Sequence, residues 1–596
     1  MKPRTFSLLA ALLVCTSLAS AARAEPRAVV RGEMDADLRA RIERAVGETD
    51  DPASSRFQAR RRARAAVERA VAVLRSEGYY QAVVEDEVEG EDRPLAVVLV
   101  TPGPRFTLGE PQVEWTGPAP DPEAAAAATG ALELAPGDPG RAADVVGAEG
   151  RLVAALVQHG YADARAGDRR VVVDHAVTAV QPTYVIDPGG RVRLDGIELV
   201  TRGPTNPAWV AGLAPWTEGD VYDPEDVAEL ERRLLETGVY DTIAVALSPV
   251  ESTRADGLRP VIVTLSDSPR RTLEAGVSYS TSEGFGVDGA WTWRNRFGRA
   301  DTLRFVARLA ELDSRLAANL SLPHWRRAGR TLDLGLAVVD EDTDAYERTA
   351  GTLSADLRQR IGKTSYFTYG AAIDSGRYLE RRYFPDTDTV GDLERHLTIL
   401  TGRATAFMDR SDDPLDPARG WRVLASAQPT AVTGDSEVAF LRLEGQGTAY
   451  LPLDDNARTV LAGRVRIGSI IGGDELSIPS DRLFYSGGGG SVRGYEYQGV
   501  GPRLDDNTPR GGVSLFETSL EARRDIGERW GAAAFVEGGA IGFQETPNLS
   551  NMRWAVGVGV RYNLPFGPIR ADVAIPLDPR DGDPDFQIYV SIGQAF

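Results

Sequence analysis

Sulfur and imidazole are nearly missing from this 596-residue sequence, which has one cysteine, four methionines and four histidines. The cysteine, Cys15, falls inside the first two dozen residues, so the chain beyond them carries no thiol, no disulfide and no Cys-based metal site. His159, His175, His324 and His396 stand singly, so neither a metal site nor a catalytic imidazole is expected. No later stretch is apolar over the roughly 18 residues that a spanning helix needs. Positive charge is also short, with 67 Lys and Arg against 87 Asp and Glu and a net charge of -20. That balance excludes a nucleic acid held mainly through its phosphates. Gly-x-Ser-x-Gly is absent, which removes the nucleophile elbow of a secreted patatin-type hydrolase. Asp340-Glu341-Asp342 and Asp412-Asp413 lack EF-hand spacing and read as solvated turns. No catalytic residue, cofactor or metal is expected.

What is present begins with an export signal. Lys2 and Arg4 precede an apolar run from Leu8 to Val14, and Ala22-Arg23-Ala24 supplies an AxA-like cleavage site, so residues 1–24 are expected to be removed. Val14 is too bulky a neighbour for Cys15 to be read as a lipidation site. About 570 residues remain, enough for several domains.

Residues 25 to about 268 mix helical and strand patterns, and one phrase recurs: helix-like segments end at Gly78-Tyr79-Tyr80, Gly160-Tyr161 and Gly238-Val239-Tyr240. The glycines lie 82 and 78 residues apart, which implies three repeats at 25–104, 105–188 and 189–268. In the first, Val67, Val71 and Leu74 are expected on the buried helix face; in the second, Val145, Ala148, Leu152 and Leu156; in the third, Val227, Leu230 and Leu234 behind Asp223 and Pro224. Related openings recur as Arg105-Phe106-Thr107-Leu108 and Arg191-Val192-Arg193-Leu194. The helix-end glycines and tyrosines read as structural caps, and an exposed sheet edge is the feature that could bind an extended segment.

From about residue 269 the period changes to two. Leu316, Ala318, Leu320 and Leu322 share a face, as do Leu332, Leu334, Leu336 and Val338. Over 512–524, Phe516, Thr518, Leu520 and Ala522 oppose Glu517, Ser519, Glu521 and Arg523, and a charged face behind a lipid-compatible one suits a wet barrel interior. At the end, Phe586, Ile588, Val590, Ile592 and Phe596 are read as the strand that closes the barrel. About 325 residues at roughly 20 per strand and turn give about 16 strands. The expected fold is therefore three α+β modules followed by a 16-stranded antiparallel transmembrane β-barrel over 269–596.

One loop breaks the pattern: Gly487-Gly488-Gly489-Gly490 precedes Ser491-Val492-Arg493-Gly494-Tyr495. A phosphate cradle is excluded, since no Lys-Ser/Thr and no helix follow. Arg493 folded inward would need carboxylates, and Glu521 and Glu537 are the candidates; the alternative is an arginine exposed in an outer loop.

Val492-Arg493-Gly494-Tyr495 resembles the signature of the outer-membrane protein 85 superfamily, and the likeness extends to Arg294–Gly298, Asp416–Gly420, the Gly511–Glu521 and Glu537–Gly539 segments, and Gly567–Asp572. The three modules resemble that family's POTRA repeats, and their number is most similar to its TamA branch, the outer-membrane subunits of the translocation and assembly module. The resemblance implies a Gram-negative outer-membrane assembly factor, not an enzyme, that inserts barrel proteins such as autotransporters. It implies a periplasmic arm coupled to a TamB-like, inner-membrane-anchored partner, and a seam between about 274–281 and 586–596 that offers an edge to clients. Outer-membrane lipids are the third implied partner. The alternatives are a two-partner secretion transporter, for which no plug helix or Pro-rich linker is evident, and phospholipid transport to the outer membrane.

Overall fold

The computed structural model describes Glu25 to Gln594 except residues 50, 281–283, 363, 474, 528, 565–567 and 593; the expected signal at 1–24 and the terminal Phe596 lie outside the described residues. Cα proximity divides the chain into two compact units, one of residues up to Gly196 with Trp216–Asp226 and Leu247–Pro260, the other of Ile197–Pro215, Val227–Ala246 and Val261 onward. The division runs through the third module, whose strands Arg193–Thr201, Leu258–Asp267 and Tyr240–Leu247 form one sheet with Leu258–Asp267 at its centre.

In the first unit, α1 (Ala36–Val46) and α2 (Arg56–Ser76) pack on a sheet ordered Val29–Arg31, Leu95–Thr101, Val83–Glu89. Asp35 and Ser55 cap the helices through Leu38 N–H and Gln58 N–H. The stripe expected here needs correction. Ala59, Ala63, Ala66, Ala70 and Leu74 are buried, whereas Val67 and Val71 are only half-buried. Alanine at three- and four-residue spacing lets α2 lie close to α1, so the small residues take the contact.

The second module packs α3 (Pro122–Gly130) and α4 (Ala142–Gln158) on a sheet centred on Ala179–Asp187. Val145, Ala148, Leu152 and Leu156 are all buried in it. Each module opens against the helix stop of the one before. Gly78 C=O accepts from Phe106 N–H at 2.9 Å, and Gly160 C=O accepts from Val192 N–H at 2.8 Å. The same ladder continues from Gly137 N–H to Leu108 C=O and from Gly219 N–H to Leu194 C=O, each at 2.8 Å. Gly160 has φ +94°, and a Cβ there would sit 2.4 Å from a Val221 methyl, which is why the repeat keeps glycine. Arg259, buried, adds a fork onto Asp163 at 3.0 and 2.5 Å.

In the second unit, α5 (Pro207–Ala211) and the apolar face of α6 (Pro224–Leu235), namely Val227, Leu230 and Leu234, belong with a sixteen-stranded antiparallel sheet. Its strands run in sequence order: β1 (Arg271–Ser280), β2 (Gly284–Arg294), β3 (Thr302–Ala310), β4 (Asp313–Leu322), β5 (Arg330–Asp342), β6 (Tyr346–Arg360), β7 (Tyr366–Phe384) and β8 (Thr389–Asp409). They continue as β9 (Gly420–Gly434), β10 (Val438–Pro452), β11 (Thr459–Ile471), β12 (Ser514–Ile526), β13 (Trp530–Gly542), β14 (Arg553–Tyr562), β15 (Ile569–Pro576) and β16 (Gln587–Ile592). The sheet is inverted relative to a soluble protein. Its exposed face carries Val287, Trp291, Phe305, Leu316, Leu336, Leu353 and Ile467, while Asp374, Glu380, Arg395, Glu517, Glu521, Glu537 and Asp572 are buried on the other. Apolar outside and charged inside is the pattern of strands that cross lipid. Among the described residues no helix is long and apolar enough to cross a membrane.

The expected closure into a barrel is overturned. β1 pairs only with β2 and β16 only with β15, and no ladder joins β1 to β16 among the described residues. The two edges come within 8 Å at Cα, but a ladder also needs matched register and facing N–H and C=O groups. β16 has six residues against ten in β1, which leaves the edges unmatched in length. Of the expected closing face, Phe586, Ile588 and Val590 are exposed, whereas the intervening Gln587 and Tyr589 are buried.

Candidate functional site

The β11–β12 connection, residues 472–513, does not leave the sheet. It folds back onto the buried face and is anchored at two places. Strand glycines make the floor: a Cβ at Gly539 would lie 2.6 Å from Ser486 Oγ and 2.9 Å from a Val492 methyl, and one at Gly468 would enter the Phe484 ring. Gly494 itself has φ +102°, and a Cβ there would be 3.0 Å from Ala555 and 3.1 Å from the Ile575 backbone. Val492, Arg493 and Tyr495 are each at most 1% exposed.

Arg493 is the inner anchor. Its Nη2 donates to Glu537 Oε1 at 2.6 Å and to Glu521 Oε2 at 2.8 Å, and its Nη1 donates to Asp572 Oδ2 at 2.8 Å. Its Nε lies 3.1 Å from both Glu537 oxygens, and its backbone N–H donates to Glu537 Oε2 at 2.7 Å. The guanidinium carbon also stands 3.3 Å from the Phe535 ring centroid. Three carboxylates around one cation need more positive charge, and Arg523, Arg561 and Arg570 provide it through Glu521 and Asp572. Every ion here is desolvated, so the cluster holds only as a whole. Of the 67 basic residues in the chain only Lys2 and Lys363 are lysine, and a planar five-donor fork is what such shared carboxylates require.

Tyr589 on β16 extends this anchor to the sheet's last strand, accepting from Gly494 N–H at 3.1 Å and donating to Tyr495 C=O at 3.2 Å. Tyr495 Oη donates to Trp554 C=O at 3.1 Å.

The outer anchor lies on β7 and β8. Buried Glu380 pairs with Arg382 and Arg395 and accepts from Ser480 N–H at 2.7 Å, while Arg382 donates to the carbonyls of Glu475 and Ile478 and Arg395 to those of Leu476 and Ser477. Arg348–Asp481 at 2.7 Å and Arg482–Asp374 at 2.9 Å complete it.

The structure therefore brings Arg493, Glu521 and Glu537 together, with Val492, Gly494 and Tyr495 packed beside them. Sequence reasoning missed Asp572 and Tyr589 as partners, and the whole outer anchor. Alternation marks Tyr378, Glu380 and Arg382 as one face, but Arg381 on the other face is charged as well and hides the signal. The groups form a structural lock; among the described residues no His, Cys, Asp and Glu cluster fits a metal ion.

Residues 295–596 match the model of the Omp85 superfamily domain. The chain is 24% identical over 443 residues to outer membrane protein assembly factor BamA of Neorickettsia risticii, covering 69% of this chain and 57% of that protein. It is 23% identical over 473 residues to the protein of that name from Nitratidesulfovibrio vulgaris, covering 76% and 58%. The chain thus spans less than two thirds of these relatives' length. A crystal structure of BamA from Haemophilus ducreyi lacking POTRA domains 1–3 superposes with a TM-score of 0.67 at 17% identity, covering 81% of this chain and 99% of that one, which is a likeness of fold.

Proposed function

The chain belongs to the Omp85 superfamily and is an outer-membrane protein of a Gram-negative cell with a periplasmic POTRA-like region, and from that premise we propose that it assembles other β-strand proteins into the membrane. The observation that carries this reading is the free edge of β1. Among the described residues its outward N–H and C=O groups join no ladder, and from Leu273 to Val277 its side chains are exposed. In lipid an unpaired edge is costly, so it favours pairing with any extended strand delivered to it. The client strand adds to β1, grows by hairpins and leaves through the seam beside β16. The anchored loop keeps the opposite side of the seam fixed while this happens.

The finer reading is a TamA-type subunit. The arm's helix-stop-to-opening ladder transmits position from module to module, which suits coupling to a TamB-like, inner-membrane-anchored protein, with autotransporter-like barrels as clients.

The test is folding of a urea-denatured outer-membrane β-protein into liposomes that contain the full chain. Wild type is expected to accelerate folding, and Val277→Pro, which removes a ladder donor and stiffens β1, to abolish the acceleration while the chain remains folded. Equal acceleration by the variant would refute edge pairing. Crosslinking from the arm to a large inner-membrane-anchored protein tests the TamA-type reading separately.

A further inference from the structure

A cavity of about 340 Å³ lies beside α5, between the turn joining β2 to β3 (295–301) and the turn joining β4 to β5 (323–329). Trp209, Leu213, Arg299, His324, Arg326 and Arg327 line it, and no carboxylate does, in a chain whose net charge is -20. The three arginines are exposed and have no ion pair among the described residues. His324 supplies no further charge: its Nε2–H donates to Arg233 C=O at 2.8 Å while Nδ1 accepts from Gly329 N–H at 3.1 Å, the bonding of a neutral ring. The turn holds His324 at φ 53° and Arg326 at φ 57°, a backbone region that non-glycine residues seldom occupy, so these side chains are placed at a cost.

The strand register fixes the level of this cavity. On the outward face, Trp293 pairs across to Leu303, Leu303 to Leu320, and Leu322 to Leu332, and these are the last outward apolar positions before the two turns. Arg271 and Arg296 stack on Trp293 at 4.8 and 4.7 Å, and Arg326 on Trp325 at 5.7 Å. Tryptophan with stacked arginine at the end of an apolar band is the chemistry of a membrane interface. On that chemistry the arginines suit a headgroup layer, at the end of the sheet formed by the 295–301 and 323–329 turns.

We propose that this cavity binds the phosphate of an anionic phospholipid, with Arg299, Arg326 and Arg327 as the ligands and the acyl chains lying on the Leu303, Leu322 and Leu332 band. The site rests on residence in the outer membrane and is independent of the assembly reading. A bound lipid would fix the membrane level of the turns that flank the third module's helices.

Native mass spectrometry of the detergent-solubilised full chain tests this, using phosphatidylglycerol, phosphatidylcholine and inorganic phosphate as probes. Wild type is expected to retain one phosphatidylglycerol in preference to phosphatidylcholine and to keep it in millimolar phosphate. Replacing Arg299, Arg326 and Arg327 together by Gln is expected to weaken retention roughly tenfold or more. A control with Arg60, Arg61 and Arg64 of α2 changed to Gln removes the same charge elsewhere and is expected to retain the lipid. Retention by the cavity variant, equal loss from the control, or equal binding of phosphatidylcholine would overturn the proposal. Displacement by phosphate would make this a free-anion site and overturn the lipid assignment; that arm and the phosphatidylcholine arm use only wild type, so they do not depend on how the variants fold.

Discussion

At one edge of the large sheet, every described β1 side chain except that of Thr272 is exposed; at the other, Tyr589 of β16 is 4% exposed and bonded to two backbone groups of an inserted loop. The early strands are held from one end. Buried Asn295 donates to Thr205 Oγ1 at 2.9 Å, Gly298 C=O accepts from Asn206 N–H at 2.8 Å, and Glu236 pairs with Arg360. The late strands are held across their middle by Arg493 and its carboxylates. Restraint at one end leaves an edge strand free to bend along its length, whereas a clamp at mid-strand does not. The two edges of the sheet thus differ in how they are restrained, and under the proposed function the less restrained edge is the one that takes a new strand.

Arg493→Ala should abolish this difference, because it leaves buried Glu537 without its cation and takes one of the cations from Glu521 and from Asp572. A loss of about 3–5 kcal/mol is expected, read as early hydrogen exchange over 487–513 and β16. Unchanged protection there would mean that the clamp is not what stiffens the late strands. Next in size, Asn295→Ala breaks the bonds to Thr205 and to Ala300 N–H and should cost about 2 kcal/mol. It should loosen the 295–301 turn toward protease and leave loop exchange untouched; loosening of both would show that the two restraints are coupled. Tyr589→Phe removes two hydrogen bonds from the more restrained edge and should cost about 1 kcal/mol, with exchange rising in β16 before β15.

The smallest effect concerns pH. Burial pushes the His324 imidazole below its ordinary value of 6.5, outweighing the Arg233 carbonyl bond that raises it. The folded chain therefore holds the neutral ring. Its contribution is complete above the unfolded value and declines as pH drops through about 6.5 toward the lower folded value. Wild type should lose more thermal stability than His324→Asn between pH 7.5 and 5.5, and an equal loss would remove His324 from the account.

Arg493, Glu521 and Glu537 could be picked out of the sequence because a lone arginine in a glycine-rich loop needs carboxylates and strand alternation identifies those facing inward. Asp572 could not, since its place beside Arg493 depends on register across β13, β14 and β15. The alanine face of α2 was hidden because alanine serves buried and exposed helix positions alike. The absence of a β1–β16 ladder among the described residues was illegible for a related reason: alternation sets which way a side chain points, while pairing of the two edges depends on length and register that neither strand encodes alone.

The most direct test of the less restrained edge is photocrosslinking in membranes during client assembly, with the reactive side chain at Val277 on β1 or at Val590 on β16. The account predicts that nascent β-strand clients are captured strongly from Val277 early in assembly and weakly from Val590. Equal capture from both edges, or capture from Val590 alone, would contradict it.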